Sequence, residues 1–217
     1  MMRSRFNCIV YVFTAVSLLV SSLVTLPTAA KQTKPQAIVV FGDSLSAAYG
    51  MSQQEGWVSL LQQRLSQQKL NYELINASIS GETTSSGLSR FADMLKIQKP
   101  NIIVIELGGN DGLRGLSAVE TSNNLEAMIQ QAKKSNAKVL LLGMKIPPNY
   151  GLKYSRQFSA NYQTLAKKYR IQLVPFFLQG IAGNPKLFQP DGLHPKAAAQ
   201  AKLLRNVWPT LTKMLKD

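Results

Sequence analysis

Imidazole, thiol and acid are all scarce in this chain. Its 217 residues hold one histidine, His194, and one cysteine, Cys8, and 11 acidic residues face 25 basic ones. Cys8 lies in an apolar stretch near the N-terminus. The chain beyond that stretch therefore has no disulfide and no thiolate metal site. One histidine and no cysteine leave too few soft ligands for zinc, so neither a metal nor a cofactor is expected. The excess of base gives a formal charge of +14. The basic residues are scattered, as in Lys96 and Lys99, Lys133 and Lys134, and Lys167, Lys168 and Arg170, with no long basic run. That distribution reads as a solvated basic surface and not as a nucleic-acid site. Weak contact with an anionic membrane surface stays compatible with it. Repeats, low-complexity tracts and interdomain linkers are missing too.

The N-terminus is built differently from the rest. Arg3 and Arg5 precede an uncharged stretch from Phe6 to Leu26, followed by Pro27-Thr28-Ala29-Ala30. A basic start, an apolar middle and a small-residue end describe a secretory signal peptide cut after about Ala30. The rival is an uncleaved anchor, since the stretch is long enough to span a bilayer. Cleavage leaves 23 basic and 11 acidic residues, a charge of +12. The expected organisation is a leader over residues 1–30 and one domain over residues 31–217, in a periplasmic monomer.

Within that domain, apolar runs alternate with stretches of helical period. Ala37 to Phe41, Tyr72 to Ala77, Ile102 to Leu107, Val139 to Met144 and Ile171 to Phe177 read as strands. Trp57 to Gln68, Ser86 to Ile97, Thr121 to Lys134, Ser155 to Tyr169 and Lys196 to Leu215 read as helices. Strands alternating with helices predict an α/β fold with a parallel sheet covered on both faces. Ligands bind such sheets outside the carboxyl ends of the strands. Ser44 follows the first strand, Gly81 the second, and Asn110 the third. The loop Asp191-Gly192-Leu193-His194-Pro195 reaches the same edge just before the last helix.

Those positions have ordinary readings as well. Ser44 suits the start of a helix after a strand, and Gly81 and Asn110 suit turns. Together they fit nucleophilic catalysis better. A serine hydrolase needs a nucleophile, a base to take its proton and a carboxylate to hold the base. His194 is the one candidate for the base, and Asp191 stands three residues before it. The Ser44 N–H, the Gly81 N–H and the Asn110 amide are candidate donors to an oxyanion. Asp111 is less suited to catalysis, since a second acid there opposes the developing negative charge.

The segments GDSLS, SISGETTSSG, ELGGNDGLRG and DGLHP, in this order, resemble the GDSL esterases, also called SGNH hydrolases. The family's four named residues fall on Ser44, Gly81, Asn110 and His194, with its acid on Asp191. Within the family, ELGGNDGLRG and NYG are most similar to the periplasmic multifunctional acyl hydrolases. The resemblance implies a flavodoxin-like three-layer α/β/α sandwich with a mostly parallel five-stranded sheet. It also implies cleavage of acyl esters, lysophospholipids and acyl thioesters through an acyl-Ser44 intermediate, in a monomer without a cofactor.

The acyl chain is expected between two loops. Gly112 to Ser117, with Leu113 and Leu116, suits a mobile rim, though an ordinary covering loop fits it equally. Met144 to Gly151 offers Ile146 and Tyr150. Lys145, Pro147-Pro148 and Lys153 set this second loop apart, so no relative's chain-length preference is carried over. Two other functions compete. A carbohydrate O-deacetylase would use the same catalytic layout with aromatic sugar platforms, for which Trp57 and Trp208 look misplaced. A basic membrane-associated binding protein with a relict site is disfavoured because all five catalytic positions are filled.

Overall fold

The run Ile102–Glu106 is buried at every position, which only the middle of a covered sheet allows. In the computed structural model, which describes residues 34–215, it is the central strand of five. The strands are β1 (Gln36–Gly42), β2 (Tyr72–Asn76), β3 (Ile102–Glu106), β4 (Lys138–Leu142) and β5 (Gln172–Val174). They pair in the order β2-β1-β3-β4-β5, and every pairing is parallel. The edge strands β2 and β5 are only partly buried, as expected where one side lacks a neighbour. The expected leader over residues 1–30, with Cys8, lies outside the described residues.

The helices are α1 (Trp57–Gln67), α2 (Thr84–Gln98), α3 (Gly109–Leu113), α4 (Ala118–Lys134), α5 (Leu152–Tyr169) and α6 (Ala197–Met214). α1 packs beside α6 on one face, and α4 packs between α2 and α5 on the other. Trp57, Leu61 and Leu65 of α1 are buried at helical spacing, as are Phe91, Met94 and Leu95 of α2. The result is the expected three-layer α/β/α sandwich. Residues from β1 to α6 share one continuous apolar core, so the described part is a self-contained folding unit.

Several boundaries differ from the sequence pattern for local reasons. α2 starts at Thr84, because the Thr83 side chain accepts from Ser86 N–H and Ser86 reaches back to the Thr83 N–H. β5 ends at Val174, just before Pro175, so the expected strand over Ile171 to Phe177 is much shorter. α3 was not anticipated; its five residues, two of them glycine, carry no amphipathic period. Ser44 does not start a helix either. It sits in a run of turns, in which Asp43 C=O accepts from Ser46 N–H (3.2 Å) and Ala47 N–H (2.9 Å).

The β1–β3 register sets Gly42 opposite Glu106. A Cβ on Gly42 would lie 2.6 Å from Glu106 Oε2 and 3.0 Å from both the Glu106 carbonyl and Ser46 Oγ. Gly42→Ala is therefore expected to destabilise the fold by about 1–3 kcal/mol through overpacking. Urea denaturation checks this; an unchanged midpoint would mean that the turn relaxes freely.

Candidate active site

The turn after β1 is shaped by its own acid. Asp43 Oδ1 accepts from Leu45 N–H (3.0 Å), a side-chain-closed turn that leaves Ser44 at its tip. His194 reaches it from the connection between β5 and α6. An antiparallel bridge between Phe188 and Pro195 closes that loop, and Gln189 N–H donates to His194 C=O at 2.7 Å. Gly192 takes the left-handed backbone that the tight loop requires, with φ of +69°.

Ser44, His194 and Asp191 form one hydrogen-bonded chain. Asp191 Oδ2 is 2.7 Å from His194 Nδ1, and His194 Nε2 is 2.9 Å from Ser44 Oγ. The carboxylate can only accept, so Nδ1 carries the proton and Nε2 is left to accept from the serine hydroxyl. Asp191 Oδ1 also accepts from the N–H groups of Leu193 (2.9 Å) and His194 (3.0 Å). The His194 ring, then these two N–H groups, hold the Asp191 carboxyl at about 2. The Tyr49 ring lies against the imidazole, with centroids 4.4 Å apart.

Gly81 and Asn110 come to the same edge. Among the described residues, the Ser44 and Gly81 N–H groups donate to no protein acceptor. Gly81 has φ of +80°, and a Cβ there would meet only Arg114 Nη2, at 3.9 Å. Among the protein's own atoms, backbone conformation and not lack of room is what calls for glycine there. The Asn110 amide is engaged: Nδ2 donates to Asp43 Oδ2 (3.0 Å) and to Glu82 C=O (3.1 Å). Both partners are acceptors, which fixes which way the amide faces.

Two acids behind the site went unnoticed in the sequence. Asp43 is 2% exposed and Glu106 is fully buried. Glu106 Oε2 accepts from Ser46 Oγ (2.6 Å) and from Asp43 N–H (3.3 Å), so it supports the serine turn from below. Burial pushes the Asp43 carboxyl up to about 6, against the opposing pull of Leu45 N–H and the Asn110 amide. Burial, with Asp43 nearby, pushes Glu106 well above the carboxylate range. An acid inside the otherwise apolar run IIVIEL was the available signal. Asp111 is a strut: it accepts from Thr84 N–H (2.9 Å), Thr84 Oγ1 (2.5 Å) and Thr121 Oγ1 (3.4 Å) and ties α3 to α2 and α4.

A cavity of about 400 Å³ opens beside Ser44 and His194. Leu113 and Ile146 line it, as do Phe176, which falls in the part of the expected strand that β5 does not reach, and Leu178 and Phe188 beyond it. Leu116 and Tyr150, the other two expected pocket residues, are not in its wall. The Tyr150 hydroxyl instead donates to Leu113 C=O (3.0 Å), and Leu116 C=O accepts from the Tyr154 hydroxyl (2.8 Å). With Arg114 Nη2 on Gly81 C=O (3.1 Å), these bonds brace the segment after α3.

Residues 40–202 match the model of the GDSL-like lipase/acylhydrolase family. This chain belongs to that family. It is 48% identical to esterase TesA of Pseudomonas aeruginosa over 199 residues, covering 92% of this chain and 99% of the relative. It is 42% identical to thioesterase 1/protease 1/lysophospholipase L1 of Escherichia coli over 163 residues, 75% of this chain and 77% of the relative. The crystal structure of the psychrotrophic esterase EstA from Pseudoalteromonas sp., inhibited by monoethylphosphonate, matches with a TM-score of 0.80 at 40% identity, covering 84% of this chain and 100% of that one. The chain is an acyl-ester hydrolase.

The raised Asp43 carboxyl has a consequence for stability. Between about pH 4 and 6 the native state holds a proton that the unfolded state has released, so stability falls as pH rises through that window. Asp43→Asn is expected to flatten this slope, leaving the part due to Glu106. Urea unfolding at several pH values checks it; a slope unchanged by the substitution would remove Asp43 as its source.

Proposed function

We propose that Ser44 is the nucleophile, His194 the general acid and base, and Asp191 the group that orients and charges-balances the imidazole. Ser44 Oγ attacks the acyl carbonyl carbon while its proton passes to His194 Nε2. The Ser44 and Gly81 N–H groups and the Asn110 amide receive the oxyanion, and Asp43 keeps that amide in register until the charge forms. His194 then returns the proton to the leaving alkoxide or thiolate as the C–O or C–S bond breaks. Water, deprotonated by His194, attacks acyl-Ser44 and releases the carboxylic acid with the serine restored. The observation that carries this reading is the unbroken chain from Asp191 Oδ2 through His194 to Ser44 Oγ at 2.7 and 2.9 Å.

The substrates we infer are acyl esters, acyl thioesters and lysophospholipids whose acyl chain enters the apolar cavity. Its lining by Leu113, Ile146, Phe176 and Leu178 supports this, and so do the thioesterase and lysophospholipase names carried by the Escherichia coli relative. Neither tryptophan lines the cavity. Trp57 is buried and the Arg64 guanidinium lies over the Trp208 ring, so neither tryptophan offers a carbohydrate O-deacetylase a sugar platform at this cavity. We further propose that residues 1–30 are a cleaved leader and that residues 31–217 act as a periplasmic monomer. The basic-then-apolar N-terminus supports the first part. Among the described residues no helix is long and apolar enough to cross a membrane.

A panel of p-nitrophenyl esters from acetyl to palmitoyl tests the reading. Turnover is expected to rise beyond butyryl and to vanish in Ser44→Ala. Asn110→Ala is expected to lower kcat by ~10²–10³ as one oxyanion donor is lost. Activity confined to acetyl would move the assignment to a deacetylase, and full activity in Ser44→Ala would overturn the mechanism.

A further inference from the structure

Eight large apolar side chains stand exposed among the described residues, and they are not spread evenly. Ile97, at the end of α2, is alone at the amino edge of the sheet. The other seven lie at the carboxyl edge, where the cavity opens. Tyr49 rests on His194, and Leu193 lines the cavity beside it. Ile79 follows β2, its N–H bonded to Gly42 C=O at the end of β1. Leu116 and Val119 flank the start of α4, while Tyr150 and Leu152 flank the start of α5. Val119 is 54% and Leu152 63% exposed, so neither contributes much to the core. An apolar rim of this kind around an apolar cavity marks an interaction surface.

The exposed charge in this rim is mostly positive. Arg114, Lys145, Lys153 and Lys196 are exposed on this edge, against exposed Glu55 and Glu120. Asp191 is turned to His194, and Glu82 is buried against Arg90. Apolar side chains interspersed with cations suit a bilayer interface with anionic headgroups, where tyrosines also sit well.

We propose that the carboxyl edge docks on a bilayer containing anionic phospholipid, and that a single-chain phospholipid passes from it straight into the cavity. This rests on the acyl-hydrolase reading above and adds where the substrate is taken from. Docking places the Ser44–His194 pair at the lipid surface, so the acyl chain moves from bilayer to cavity without crossing water.

The test uses the chain from Lys31 onward, with sedimentation on phosphatidylcholine vesicles with and without phosphatidylglycerol. Turnover is followed for lysophosphatidylcholine carried in those vesicles and for soluble p-nitrophenyl butyrate. The double substitution Val119→Ser with Leu152→Ser, and separately Lys153→Glu, should each weaken binding to the anionic vesicles about fivefold or more. Vesicle turnover should fall in parallel, with soluble-ester turnover unchanged as the check on folding. No binding by the wild type, or equal binding by these variants, would overturn docking at this edge. So would binding lost only in Lys133→Glu with Lys134→Glu, on the opposite edge. If the wild type binds as expected but cleaves no ester, docking stands and the acyl-hydrolase reading fails.

Discussion

The pairing of Gly42 with Glu106 across β1 and β3 is the constraint on which the site depends. It places a fully buried carboxyl directly under the turn that carries Ser44. Glu106 Oε2 takes the Ser46 hydroxyl and the Asp43 N–H, and Trp57 Nε1 donates to the same Ser46 oxygen at 3.2 Å. Glu106 Oε1 has no partner in its buried position. A buried, half-satisfied acid is destabilising by itself, which is why burial drives it towards its neutral form. What it provides is a polar anchor for the turn, beside the apolar contacts of Leu45 and Ala48 with the core. Gly42 completes the arrangement, since any side chain there would occupy the space of the carboxyl.

The two halves of the Asp–His–Ser chain are built by different physics. Asp191 and His194 share one short loop, so their contact is local and is reinforced by two backbone N–H bonds to the same carboxylate. The contact between His194 and Ser44 spans 150 residues of sequence and exists only once the sheet has formed. His194 is thus oriented by its loop, while its reach to Ser44 is set by the fold. The Phe188–Pro195 bridge and the stacking of Tyr49 on the imidazole join the two.

How much of this was legible in the sequence follows the same division. The alternation of apolar runs with helical stretches gave the layers, because strands like Ile102–Glu106 are buried on both faces and read as continuous apolar runs. Ser44, Gly81, Asn110, Asp191 and His194 were legible because each sits beside a turn residue after a strand or in the last loop. Asp43, Glu106 and the far wall of the cavity were not. An acid adjacent to a serine looks like part of the turn, and one acid in a strand looks like a strand end. Phe176, Leu178 and Phe188 come from irregular chain after β5, where no period exists to say which way a side chain faces. Tyr150 pointed the right way in sequence but spends its hydroxyl on Leu113 C=O, which makes it a brace for the cavity wall.

The topology also explains a charge pattern that the sequence scatters. In a parallel sheet with returning helices, every such helix ends at the amino edge. Lys96, Lys133 and Lys134, Lys167 and Lys168, and Lys213 occupy those last turns, complementing the negative helix ends. The reciprocal device is largely missing: α1, α2, α5 and α6 have no acid in their first turns. An acid there would favour those helix starts by a few tenths of a kcal/mol to about 1 kcal/mol. It would also put negative charge at the carboxyl edge, where the proposed oxyanion of the substrate forms and where the rim is apolar and mostly cationic. The first turns of α1, α2, α5 and α6 thus forgo a helix-stabilising charge at this edge, while α3 and α4 keep Asp111 and Glu120, the former held by Thr84 and Thr121.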